Sequence, residues 1–174
     1  LTLLNSRPEL NNETLEAKKA SLQDKKEHLV LYEGPIHHIF FHSLIVHPEM
    51  AFDGDYTAEG YNYWMVTNDE FKKMLDALYQ RNYVLYDIQS FIEANPEQPG
   101  KIRKANIYVP EGKIPLVLSI DDVSYYNYMG KDGFARKLIV DEQDKIATIV
   151  RNEAGEFETT YDGDVMPIVD QFVL

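Results

Sequence analysis

Seven consecutive residues, Ile114-Pro115-Leu116-Val117-Leu118-Ser119-Ile120, constrain this 174-residue chain more than any other stretch. A continuous apolar run of this length fits a strand buried on both faces, the pattern of a parallel sheet covered by helices. The run ends directly at Asp121-Asp122. In α/β sheets and barrels, ligand-meeting groups gather just beyond the carboxyl ends of parallel strands, where loops present side chains on a rigid base.

The flanking segments read as βα units. Thr67-Asn68-Asp69-Glu70 is a capping box, with Phe71, Met74, Leu75 and Leu78 following at helical spacing. That helix is expected to end near Arg81-Asn82 and to lead into a short strand at Tyr83-Val84-Leu85-Tyr86, with another helical turn or two over 88–94. Upstream, residues 36–45 are apolar and aromatic around His37, His38 and His42 and read as the first core strand. Residues 49–63 have loop composition, and 95–104 read as an exposed loop. Downstream, 135–140 and 145–150 flank an acidic turn as a hairpin, 157–161 adds a third short strand, and 164–174 reads as a helix with Pro167 in its first turn. Residues 12–28 read as a mostly polar helix, with Glu33-Gly34-Pro35 as the joint to the core. The expected organisation is a peripheral helix or stalk over 1–34 and one α/β domain over 35–174.

Composition narrows the partners. A formal charge of −12 opposes binding to nucleic acid or anionic membrane, which require Lys and Arg against phosphate. There is no cysteine, so disulfides and thiolate metal sites are excluded and the compartment is left open. No apolar run approaches the roughly 18 residues of a membrane span, and a soluble chain is expected. The first residue is Leu1, consistent with removal of an upstream signal or anchor and equally with an arbitrary boundary.

Adjacent carboxylates at a strand end diverge and can take different tasks, one holding a metal while the other accepts a proton; the same dipeptide also serves as a turn cap. His38 and His42 have the spacing of a helical zinc pair, but in a strand they stand roughly 13 Å apart, too far for one metal. His42 alone, at a strand end, remains a candidate ligand, while His37 and His47 read as packed or loop histidines. Tyr61, Tyr63, Trp64, Tyr125, Tyr126 and Tyr128 offer flat faces for a sugar ring, or else anchor loops and core. Asp141 to Asp144 lacks the Gly and terminal Glu of a calcium loop and reads as a solvated hairpin turn.

The segment Ile114 to Asp122 resembles the strand and Asp-Asp motif of the polysaccharide deacetylases, carbohydrate esterase family 4. Ile39-Phe40-Phe41-His42 is similar to that family's first strand, and Val66 to Phe71 with Leu75, Leu78 and Asn82-Tyr83-Val84 to its next helix and strand. The resemblance covers Pro35 to Asp122, and the later residues resemble an insertion seen in some members. It implies the N-terminal part of an irregular βα barrel with parallel strands, a β-hairpin insertion and an N-terminal helix.

By resemblance, Asp121 is the general base and Asp122 a ligand of a divalent metal, usually zinc, with metal-bound water attacking an acetyl carbonyl. Substrates implied are acetylated polysaccharide or peptidoglycan, with Tyr63, Trp64 and Tyr125 as sugar contacts, and a secreted or membrane-anchored parent at the cell envelope. Two positions depart from the pattern: Val123 stands where Gly is usual and Ser119 where Thr is common. No histidine follows His47, so the family's downstream His-x-x-x-His pair has no counterpart. The expectation is a truncated domain, inactive alone, whose open edge is covered by the missing C-terminal part or by another chain. The alternative is a non-catalytic carbohydrate-binding or envelope interaction domain.

Overall fold

A computed structural model describes residues 17, 19–21, 23, 24, 26 and 28–173. Every described position from 17 to 26 is helical and His28 is in a turn; the other residues of the helix expected over 12–28 lie outside the described residues, as does Leu174. The further elements, in chain order, are β1 (Leu29–Tyr32), β2 (His37–Phe41), α1 (Pro48–Ala51), α2 (Ala58–Trp64), α3 (Asn68–Gln80), β3 (Tyr83–Leu85), β4 (Ile92–Ala94), β5 (Ile102–Lys104), β6 (Ile107–Pro110), β7 (Ile114–Ile120), β8 (Ala135–Val140), β9 (Ile146–Arg151), β10 (Phe157–Thr160) and α4 (Val165–Phe172). No helix among the described residues is long and apolar enough to cross a membrane.

The chain divides into two compact units. The first takes Leu1–His37 and Asn82–Leu116. In it β1 pairs antiparallel with β6, from Leu29 opposite Pro110 to Tyr32 opposite Ile107. Ile107 and Val109 are buried while Tyr108 is exposed, the two-residue period of a half-covered strand. β4 and β5 form a second antiparallel pair, and β3 runs parallel to the start of β7, Tyr83 facing Ile114.

The second unit takes His38–Arg81 and Val117–Leu174. α3 begins as its capping box demands: the Thr67 hydroxyl accepts the Glu70 N–H, and the Glu70 carboxylate accepts the Thr67 N–H at 2.9 Å. Phe71 and Leu75, one turn apart, point the same way and are buried with Phe41, Leu44, Val165 and Ile168. The Phe41 and Phe71 rings meet edge to face at 4.8 Å. A second cluster gathers Ile45, Ala51, Tyr61, Met129 and Phe134. β8, β9 and β10 form an antiparallel sheet in the order β10-β9-β8. α4 starts at Asp164, whose carboxylate accepts the Val165 N–H at 2.8 Å.

The architecture corrects the barrel expectation. The described strands form small, open and mostly antiparallel sheets, and the one sheet with parallel pairing has three strands, in the order β2-β7-β3. A parallel pair needs a long crossover, and a barrel needs one after almost every strand. Here only the link from β2 to β3 carries α-helices of that kind, while β8, β9 and β10 are joined by short turns that return each strand beside its predecessor. Local corrections follow the same logic. Residues 49–63, read as loop, hold α1 and α2. Residues 88–94 make one 3-10 turn and then β4, and the expected loop over 95–104 contributes β5. The first core strand stops at Phe41 instead of 45, because Ile45 leaves the sheet to bond with Val66 and Asn68.

Candidate functional site

β7 delivers Asp121 and Asp122 as its length and apolarity require: Ile120 is the last strand residue, and the Asp121 N–H donates to the Phe41 carbonyl at 2.8 Å, tying the aspartates to the end of β2. The chain then turns sharply. Asp122 has φ +53°, a left-handed value that Asp tolerates, and its carbonyl accepts the Ser124 N–H at 2.6 Å. The positive φ falls on Asp122 and not on Val123. His42 follows the last residue of β2 and is half-buried.

α2 builds the opposite wall. Thr57, Gly60, Tyr61 and Trp64 recur at three- and four-residue spacing and occupy one helical face. The helix start is held by Asp55, which accepts from the Thr57 hydroxyl at 2.6 Å and from the Thr57 and Ala58 N–H groups at 2.7 and 3.2 Å. The Thr57 hydroxyl, then its N–H, lowers the Asp55 pKa. Tyr61 is buried, donates from its hydroxyl to Asp132 at 2.7 Å and packs its ring on Phe134 at 4.9 Å. Burial first, and then the Asp132 carboxylate, pushes the Tyr61 phenol well above its ordinary pKa, so it stays a neutral donor.

Between these walls lies an open pocket of about 400 Å³, lined by His42, Tyr56, Thr57, Gly60, Tyr61, Trp64, Met65, Asp122 and Tyr128. The volume is in the range of small-molecule sites. Trp64 is 74% exposed and Tyr128 58%, so flat aromatic faces are offered to solvent. Tyr128 stacks on Tyr126 with ring centroids 5.7 Å apart, and Arg136 braces their loop by donating to the Asn127 side chain at 2.8 Å.

Of the residues singled out from sequence, the structure brings His42, Tyr61, Trp64, Asp122 and Tyr128 to this pocket. Asp121, though adjacent to Asp122, is not among the lining residues. Tyr63 points elsewhere, since one residue along a helix turns the side chain by about 100°, and it is exposed without lining the pocket. Tyr125 turns inward instead, toward the buried Asp164. His38 bonds Ser119 at 2.8 Å and lines no part of the pocket. Sequence reasoning named Tyr61 and Trp64 but missed Thr57 and Gly60 and the helical face the four share, whose signal is their three- and four-residue recurrence. It also passed over Asp164, which carried only the signal of a helix cap.

As a metal centre the pocket has two donors of suitable chemistry, the Asp122 carboxylate and the His42 imidazole. A catalytic zinc takes three protein ligands. Among the described residues no group of three His, Cys, Asp or Glu side chains is placed to hold a metal ion. The described donor set therefore does not complete such a centre. What the pocket does supply is aromatic surface beside hydrogen-bonding groups, the combination that takes a flat ligand with a polar rim.

Comparison with protein-family models, curated proteins and solved structures returned no significant match.

Proposed function

We propose that the pocket binds a sugar ring of an acetylated polysaccharide or peptidoglycan, and that the protein is a hydrolase resembling the polysaccharide deacetylases, acting at the cell envelope or outside the cell. One observation carries the reading: Asp122, His42 and Trp64, drawn from three separate segments, line a single pocket. A pyranose has an apolar face that stacks on an aromatic ring and a rim of hydroxyls that seek hydrogen bonds. Trp64 and Tyr128 supply the first requirement, Thr57, Asp122 and His42 the second. In the hydrolytic reading Asp121 takes the proton of the attacking water. The two donors at the pocket do not complete a metal centre among the described residues, so no step is assigned to a metal ion.

A second reading keeps the sugar site and drops the chemistry, making the chain a carbohydrate-binding domain. It is favoured by the position of Asp121, which stands off the pocket.

Trp64 is the only tryptophan, so its fluorescence reports on the pocket alone. Oligomers of N-acetylglucosamine, with the deacetylated oligomers as comparison, are titrated while Trp64 emission is followed, and acetate release is measured with zinc added. Saturable binding that disappears in Trp64→Ala when the same titration is followed by calorimetry, with acetate release lost in Asp121→Asn, supports the hydrolase. Binding with no acetate release moves the assignment to the second reading. A failure of every oligomer to alter Trp64 emission sinks both.

A further inference from the structure

Asp164 is 2% exposed and serves more than the start of α4. Its Oδ1 accepts two backbone N–H groups, from Val165 at 2.8 Å and from Leu44 at 3.2 Å. Leu44 lies two residues after His42, so one buried carboxylate holds the segment that presents the imidazole. The same carboxyl faces Tyr125, three residues after Asp122. The Tyr125 hydroxyl is buried and makes no hydrogen bond among the described residues, and its interaction with the Asp164 carboxyl is electrostatic.

Tyr125 also sits at φ +47°, in the left-handed region. For a bulky side chain this conformation costs about 1–2 kcal/mol and persists only where the surroundings impose it. The burial of its hydroxyl, on an otherwise half-buried residue, is the tertiary feature that accompanies this conformation. Burial keeps the Tyr125 phenol protonated and raises the Asp164 pKa, while the N–H groups and the phenol work against the latter shift.

We propose that Asp164 and Tyr125 form a buried latch that fixes the His42 segment and the Asp122 turn relative to one another, and so sets the two polar donors of the pocket. Both are positioning residues, because neither lines the pocket. The importance of the latch rests on the reading of that pocket as the binding site, but its existence does not.

The test is therefore read first without any sugar. Backbone amide resonances are assigned in the wild-type protein, in Tyr125→Phe, which removes one oxygen and keeps the ring, and in Asp164→Asn, which keeps an acceptor for the N–H groups. Tyr161→Phe, at an exposed tyrosine bonded to Asp141, is the control. With the latch, Tyr125→Phe shifts the amides of His42 to Leu44 as well as those of Asp122 to Ser124, and the control shifts neither set. Changes confined to the immediate neighbours of residue 125 overturn the proposal, and Tyr125→Phe decides the matter even if Asp164→Asn fails to fold. The same variants are then titrated with N-acetylglucosamine oligomers. Weaker binding by Tyr125→Phe at an unchanged unfolding midpoint places the latch in service of the pocket, and unchanged affinity removes that role. Absence of binding by the wild-type protein is a failure of the sugar reading and leaves the amide result standing.

Discussion

Gly133 is a position at which a single methyl group does harm for a reason that can be isolated. Its φ is +83°, and a Cβ built there would stand 2.4 Å from the His47 carbonyl oxygen and 2.9 Å from the His47 Cβ. The chain comes this close because the Gly133 carbonyl accepts the N–H groups of both Val46 and His47, at 2.9 and 3.0 Å. Gly54, in the same unit, has φ +89° and open space where its Cβ would be. Gly54→Ala therefore meets only the left-handed backbone penalty of about 1–2 kcal/mol. Gly133→Ala meets that penalty plus overpacking of about 1–3 kcal/mol, because the obstacle is backbone and has no rotamer to yield. The entropy that alanine removes from the unfolded chain is common to both and cancels in the difference. Urea unfolding followed by Trp64 emission reports on this unit, and at a slope of about 2 kcal/mol per M the extra loss lowers the midpoint by roughly 0.5–1.5 M more in Gly133→Ala. Equal midpoints for the two variants would refute the assigned close approach of Gly133 to His47.

The other consequences are quickly stated. Phe71 is fully buried against Phe41, so Phe71→Ala should cost about 3–5 kcal/mol in the same unfolding assay; a loss below about 1 kcal/mol would contradict its place in the core. Thr67→Ala removes the cap of α3 and should cost about 1 kcal/mol. The Thr67 N–H and hydroxyl hold the Glu70 pKa below its ordinary value of 4.5, so this contribution is present above pH 4.5 and is lost as pH falls through the depressed folded value. An acid titration in which wild type and Thr67→Ala lose stability in parallel would show that the Thr67 hydroxyl contributes nothing to the Glu70 shift, the Thr67 N–H being retained in the variant. Trp64→Ala, on a largely exposed side chain, should leave stability within about 0.5 kcal/mol in urea unfolding followed by circular dichroism, while calorimetry shows oligosaccharide binding abolished.

Local signals were legible without any structure. The apolar run of β7 stops at Asp121, the capping box starts α3 at Asn68, and the acidic turn at Asp141 to Asp144 joins β8 to β9, because each depends on residues within a few positions of one another. The resemblance drawn from those segments led to a parallel barrel that the sheets do not form. Pairing is decided by which strands can return beside one another, and short connections make the antiparallel choice for β8, β9 and β10. The site divides in the same way. Sequence alone named Asp122, His42 and Trp64 from the chemistry of their side chains, but only the tertiary structure put them around one pocket, turned Tyr63 away by its helical phase and drew Tyr125 inward to Asp164. Those outcomes depend on contacts between residues far apart in the chain, such as Leu44 with Asp164 and Tyr61 with Asp132, and no local pattern encodes which distant group will satisfy a buried hydrogen bond.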